Sequence, residues 1–428
     1  DWTSRCMHIT IITAGGAGMF CGSCMHDNSW SKGLREAGVD VSLLPLYTPI
    51  RVDEPDQSSS PIFFGGINCY LNDRFQWWQR VPRSLTSWLD SPSLIRRVIR
   101  GASGHDAARL GSMTLSMLQG DQGPHRRAGE ELVNHVHQLR PDVVVFSNAM
   151  LSPPLRILKK AFPGRAYCVL QGDDLFLDRL IEPYRTQVID LLRQRMSDFD
   201  GFLTHSAYNR DYMADYFCQP AAKFHQLPLA IDCSHHEGFP KPTVGNPPTV
   251  GYFARICHEK GLHQLVEAVI RLRQRIPNVR LKAGGYLGQE HETYYRDICR
   301  LAAPLGESFE YIGSPDSKSE KINFLKSLDV FSVPTTYREP KGLYVLEAWA
   351  NGIPVVLPRH GAFPELIHST GGGLLVEPGD CHALALALEH VLRDTPLRLE
   401  LASRGHIGVR RAHDLPSLAI ATKSLFSK

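Results

Sequence analysis

The chain has 428 residues, 43% of them hydrophobic and 21% charged, with a formal net charge of +3. That balance excludes intrinsic disorder and gives no basic excess that would make nucleic-acid binding the main task. The length suits two domains of about 200 residues each rather than a single core.

Residues 1–6 precede Met7 and read as foreign to a native start expected at Met7. There is no basic-then-apolar secretory leader and no apolar run of the roughly eighteen residues a membrane span needs, so a cytoplasmic enzyme is expected. The ten cysteines are scattered, as reduced and mostly packed thiols would be.

Met7 to Thr13 is an apolar strand, Ala14 to Gly22 a glycine-rich turn, Met25 to Ala37 a helix closed by Gly38, and Val39 to Leu46 a second strand. This is a βαβ opening. Gly15, Gly16 and Gly18 allow a ligand to approach the backbone closely. A dinucleotide fingerprint would need glycine at 21 and an acid ending the second strand; Cys21 and Leu44-Pro45-Leu46 stand there instead. Cys21-Gly-Ser-Cys24 lacks the second pair of a zinc site, so small residues beside a ligand are the expected reading.

Phe75 to Trp88 mixes aromatics with arginines, and Leu94 to Arg100 adds further arginines among aliphatic residues. Residues 75–100 are therefore candidates for peripheral contact with an anionic membrane surface, against the plainer reading of a helical cap. Pro82 and Pro92 break any single long amphipathic face.

Strands are expected at Val143 to Ser147, Ala166 to Leu170 and Phe202 to His205, in a parallel sheet covered on both faces. Gln171, Gly172, Asp173 and Asp174 follow the second of these, where the carboxyl ends of parallel strands line a ligand crevice. They are candidates for the acceptor side, the alternative being a capped helix start. Ser206 reads as an N-cap and His205 as a packed side chain. Gly238 to Pro248 is rich in Pro and Gly, which places a linker at 239–248 between domains 1–238 and 249–411.

Thr249 to Phe253 is the next strand, and Arg255 and Lys260 flank its turn into a helix patterned at Leu262, Leu265, Val266 and Val269. Two cations at a strand's carboxyl end suit a diphosphate; taken singly they would be solvated loop charges. Asp329 to Val333 is a short buried strand, Pro334 to Lys341 a loop, Gly342 to Ala350 a helix stopped by Gly352, and Ile353 to Leu357 a strand. Glu347 falls on this helix's apolar stripe with Leu343, Leu346 and Ala350. A carboxylate there needs a partner, either ligand hydroxyls or a core Arg. The helix N-terminus at Gly342 and Leu343 suits phosphate or developing negative charge.

Together Arg255, Lys260, Glu339 and Glu347, with Asp329-Val-Phe-Ser-Val-Pro-Thr335 and Asn351-Gly-Ile-Pro-Val-Val356, resemble the retaining nucleotide-sugar glycosyltransferases of GT-B fold, in particular glycosyltransferase family 4. The resemblance implies an α/β chain of two Rossmann-like parallel-sheet domains facing each other across a cleft. It further implies transfer of a sugar, with retention, from a nucleoside diphosphate sugar to an acceptor hydroxyl of a carbohydrate, lipid-linked or small-molecule acceptor. By position, Arg255 and Lys260 would hold the diphosphate, Glu339 with Lys341, Gly342 and Leu343 the sugar, and Glu347 the ribose. Gly16, Ala17 and Gly18 would cover the donor, residues 311–315 would meet the base, and the segment 412–428 would return to the first domain.

Leaving-group charge would be taken by Arg255, Lys260 and the helix N-terminus, so no cofactor or metal is required. In agreement, Asp198-Phe-Asp200 precedes its strand instead of following one. Four positions depart from the family pattern: Lys341 replaces an aromatic residue, Ala230 and Ala254 each replace a glycine, and Gln171 replaces a histidine. Rival readings are a phosphorylase or epimerase on the same architecture, and a non-catalytic sugar-nucleotide sensor.

Overall fold

The computed structural model describes residues 6–15, 22–50, 52–59 and 107–427. Contacts divide the chain into two compact units: residues 1–227 with 419–428, and residues 228–418.

In the first unit β1 (His8–Thr13), α1 (Gly22–Glu36) and β2 (Asp40–Pro45) form the opening βαβ motif. There follow α2 (Ala107–Leu118), α3 (Arg126–Leu139), β3 (Val143–Phe146), α4 (Leu155–Lys159), β4 (Arg165–Val169), α5 (Asp173–Leu177), α6 (Tyr184–Met196), β5 (Gly201–Thr204), α7 (Ala207–Tyr216) and β6 (Phe224–Gln226). The sheet order is β2-β1-β3-β4-β5-β6, and every pairing is parallel. Every residue of β1, β3 and β5 is buried, because helices cover both faces of such a sheet.

The second unit contains β7 (Thr249–Phe253), α8 (Leu262–Arg273), β8 (Arg280–Gly284), α9 (Glu292–Leu301), β9 (Phe309–Tyr311), α10 (Lys318–Lys326), β10 (Val330–Phe331) and α11 (Leu343–Ala350). It continues through β11 (Val355–Pro358), α12 (Phe363–Thr370), β12 (Gly373–Val376), α13 (Cys381–Arg393) and α14 (Thr395–Ala412); α15 (Leu415–Phe426) starts in this unit and belongs to the first from Ala419 on. Its sheet is again all parallel, in the order β12-β11-β10-β7-β8-β9. Strand order reverses between β7 and β10, and loops leaving the two strands that flank such a reversal open a ligand crevice. Trp349 anchors the core beneath α11: its indole N–H donates to the carbonyl of Gly372 at 2.8 Å, and a Cβ at Gly405 would collide with its ring.

The division falls at Leu227, not at the expected 238, and at 418 instead of 411. The expected linker 239–248 is tied to the second unit. Asp329 accepts from the backbone N–H groups of Gly245 at 3.0 Å and Thr249 at 2.8 Å, and Lys241 donates to the carbonyl of Leu328 at 2.6 Å. Composition reads such a segment as free because its partners lie about eighty residues away. Leu227 to Asp232 is not a strand: β6 ends at Gln226, before Pro228, and Ile231 makes an isolated bridge to Asp414.

Candidate active site

The loops after β7 and β10 converge at the strand-order reversal of the second unit. Gly261 makes this possible: its φ of +73° is left-handed and a Cβ would strike the carbonyl oxygen of Pro334. The backbone N–H of Thr336 then donates to the carbonyl of Glu259 at 2.9 Å, joining the two loops. Gly261 and Gly342 are also the N-caps of α8 and α11, and neither helix start has a side-chain cap. Both therefore present N–H groups at a positive dipole end.

Glu339 lies between them, only 3% exposed. Its Oε2 accepts from the Lys260 ammonium, from the Tyr337 hydroxyl at 2.6 Å and from the Tyr344 hydroxyl at 2.8 Å, while Oε1 accepts from the backbone N–H of Lys341 at 3.3 Å. Lys260 also donates to the Tyr337 hydroxyl at 2.7 Å and lies 4.9 Å and 5.2 Å from the ring centres of Tyr337 and Tyr344. Burial alone would push the Glu339 carboxyl up, but the Lys260 charge and hydrogen bonds from Lys260, Tyr337 and Tyr344 outweigh it and hold it at about 2. Burial first, and then the Glu339 charge, push both tyrosine hydroxyls well above their ordinary range. The cluster thus holds a carboxylate and an ammonium at neutral pH. The carbonyl of Glu339 accepts from the N–H of Ala362, which fixes the loop from the other side.

Arg255 follows β7. Its side chain is exposed, and its guanidinium makes no hydrogen bond or ion pair among the described residues. Lys341 is buried beside Glu339. Glu347, on α11, is paired with a cation, though with a lysine and not the arginine considered as a core partner: Lys321 of α10 donates to its Oε1 at 2.7 Å. Asn351 links that pair to its surroundings, donating to the carbonyl of Glu347 at 2.9 Å and lying 2.8 Å from Nδ1 of His236. Burial, with Lys318 and Lys321 nearby, holds the His236 imidazole down at about 3, so it is neutral. Residues 311–315, expected to meet a base, run from the end of β9 toward α10.

In the first unit, Gly16, Ala17 and Gly18 lie outside the described residues, as do Cys21 and residues 75–100. Asp173 is committed to the backbone: its Oδ1 accepts from the N–H of Ala149 at 2.7 Å and its Oδ2 from the N–H of Gln171 at 3.0 Å. The expected helix-start alternative is therefore met differently, because the cap of α5 is Gly172, at φ +100°, and Asp173 ties down the loop after β3. Gln171 donates its amide N–H to the carbonyl of Ser147 at 2.7 Å. Asp174 is half-buried, and burial, then the neighbouring Asp173 charge, raise its carboxyl to about 6. Ser206 caps α7, its hydroxyl accepting from the N–H of Asn209 at 3.1 Å. His205 is packed against His26 with ring centres 4.4 Å apart.

Tyr337, Tyr344 and Lys321 were not singled out from sequence. Tyr344 had a signal in its place one residue along from Leu343 on a helix already of interest. Lys321 had none, since its helix precedes Glu347 by 26 positions and reads as an ordinary surface element.

Residues 236–406 match the family model for glycosyl transferases group 1. The chain is 36% identical over 166 residues to the lipopolysaccharide core biosynthesis glycosyltransferase LpsE of Rhizobium meliloti, covering 38% of this chain and 45% of that protein. It is 28% identical over 218 residues to the GDP-mannose-dependent alpha-(1-6)-phosphatidylinositol monomannoside mannosyltransferase of Mycolicibacterium smegmatis, covering 47% and 56%. The chain spans about half the length of these curated relatives. Among solved structures it resembles the sucrose-phosphate synthase of Thermosynechococcus elongatus, with TM-score 0.70 and 16% identity over 98% of both chains. It also resembles Anabaena HepE in complex with UDP and glucose, with TM-score 0.67 and 15% identity over 99% of this chain and 100% of that one. The fold is GT-B, two Rossmann-like parallel-sheet domains.

Proposed function

We propose that the protein is a retaining glycosyltransferase that moves a sugar from a nucleoside diphosphate sugar to an acceptor hydroxyl without a metal. The observation that carries this reading is the Glu339–Lys260 pair, set where strand order reverses and beside two helix N-termini without side-chain caps. Leaving diphosphate oxygens need cations and N–H donors already in place, so that little reorganisation is required as charge develops. Lys260, Arg255 and the start of α11 at Gly342 and Leu343 supply them. Glu339, held ionised, orients the sugar hydroxyls, with Lys341 beside it. Glu347 takes the ribose hydroxyls, and Lys321 holds its carboxylate in position.

The reading is tested by incubating the protein with a panel of nucleoside diphosphate sugars and hydroxyl acceptors, with and without chelator. The expected result is acceptor-dependent release of nucleoside diphosphate, retention at the anomeric carbon by NMR, and no loss on chelation. Binding without turnover across the panel would leave a sensor. Complete and metal-restorable loss on chelation would overturn the electrostatic account.

A further inference from the structure

Tyr208, Tyr212 and Tyr216 occupy every fourth position of α7, so their rings rise along one stripe of the helix. Successive ring centres are 5.9 Å and 6.0 Å apart, and all three side chains are half-buried. The opposite stripe enters the core through Asn209 and Met213. Two carboxylates from the segment after β4 stand against the ladder. Asp178 accepts from the Tyr216 hydroxyl at 3.0 Å, and the Tyr212 hydroxyl is pushed up to about 12, by burial first and then by the charge of nearby Asp174.

Packing at a half-exposed helix stripe is satisfied by leucine or methionine. Tyrosine adds a flat apolar face with a polar rim, wet at one end and dry at the other. A carboxylate offers two oxygens, each able to accept from hydroxyl groups. Ring faces repeated once per helical turn, with hydroxyl-accepting oxygens beside them, complement pyranose rings, which have C–H faces and hydroxyl rims. Two cations near the stripe are already paired with carboxylates, Arg185 with Asp178 at 3.1 Å and Arg210 with Asp211, which leaves them less suited to an anionic ligand. A neutral, hydroxyl-rich chain is the occupant this chemistry selects.

We infer that Tyr208, Tyr212 and Tyr216, with Asp174 and Asp178, form a platform that binds a linear saccharide chain. Its service as the acceptor track rests on the transfer reading above; saccharide binding itself does not.

The test is calorimetry of the full chain, without nucleotide, against linear glucose and mannose hexasaccharides of α and β linkage. At least one should bind. Tyr212→Ala should weaken it about tenfold, equivalent to about 1.4 kcal/mol, and Tyr212→Phe, which keeps the ring, should weaken it less. Tyr208→Ser, in the first turn of α7, gives a second readout that disturbs the Asp178 contact least. The nucleoside diphosphate-induced melting shift should be the same in all variants. If no hexasaccharide binds, or if the bound one is indifferent to both Tyr212→Ala and Tyr208→Ser, the platform is wrong. Saccharide binding that responds to these variants, in a protein that responds to no nucleoside diphosphate, would support the platform and remove the transfer reading instead.

Discussion

Two buried acidic side chains, each in the segment that follows a parallel strand, have been satisfied in different ways. Glu339 in the second unit is held mostly by other side chains, the Lys260 ammonium and the hydroxyls of Tyr337 and Tyr344. Asp173 in the first is held by backbone N–H groups of Ala149 and Gln171. Side-chain donors can rotate away and be replaced by ligand hydroxyls and phosphates at small cost, whereas backbone donors cannot leave without moving the loops they belong to. Burial alone therefore does not mark a functional carboxylate; the exchangeability of its partners does. On the proposed reading a diphosphate would also attract the ammonium that holds Glu339, so its binding would be coupled to release of the carboxylate.

The largest effect is expected where that exchange is removed from one side. Lys260→Ala leaves Glu339 buried with only neutral donors and its own loop N–H, and breaking a buried pair in this way costs about 3 kcal/mol. Denaturant unfolding should show the loss, and the double variant Lys260→Met with Glu339→Gln should recover most of it, because the uncompensated charge is gone. Calorimetry of Lys260→Ala should show nucleoside diphosphate weakened far more than free nucleoside. Equal weakening of both would take Lys260 out of the diphosphate site.

Next is Asp173→Asn, which supplies one acceptor in place of two and turns an N–H₂ group toward a backbone N–H. A loss of about 2 kcal/mol in folding stability is expected, from a buried donor left without a partner. Affinity for nucleoside diphosphate should be unchanged. A folded, fully stable Asp173→Asn whose acceptor KM rises would reverse the comparison and return Asp173 to the acceptor side.

Glu347 is the intermediate case, since its partner Lys321 is a side chain but is itself buried. If Glu347 holds the ribose, a 2′-deoxy nucleotide should bind about tenfold more weakly than its parent, and Glu347→Gln should shrink that ratio. Should the ratio stay constant while the ligand-free melting temperature falls, Glu347 is the structural half of the Lys321 pair and nothing more.

How far each region could be read from residue order follows the same physics. Thr249 to Phe253, Val143 to Phe146 and the helix at Leu343 to Ala350 were legible, because strands buried on both faces are continuous apolar runs and α11 repeats at helical period. Glu347 stood out as a charge on an apolar stripe. The short strands β9 and β12 were not legible, since their residues are largely half-exposed and the alternation is weak. Lys321 was hidden because long-range ion pairs leave no local pattern, and the packed segment at 239–248 because its anchor, Asp329, is remote in sequence. Tyr337 lies two residues from Glu339, yet a loop has no periodicity from which its direction can be read.

The smallest effect sharpens the contrast within one turn of chain. Asp174 adjoins Asp173 but has its carboxyl raised to about 6, by burial first and by the Asp173 charge second. An acid whose folded value lies above its unfolded one binds more protons when folded, so stability should fall as pH rises from about 4 to about 6 and stay reduced above that. Asp174→Asn removes this penalty while keeping the shape of the side chain. Because the group is partly open to solvent, the expected gain at pH 7 is about 1 kcal/mol rather than the full linkage value. At pH 4, where the native carboxyl is already protonated, variant and parent should unfold at nearly the same denaturant concentration. Asp173→Asn should do the opposite at pH 7, lowering stability, although the two residues are adjacent and the substitution is identical. A gain from Asp174→Asn that persists unchanged at pH 4 would mean that the amide makes a new contact, and that the gain does not come from relieving a buried charge.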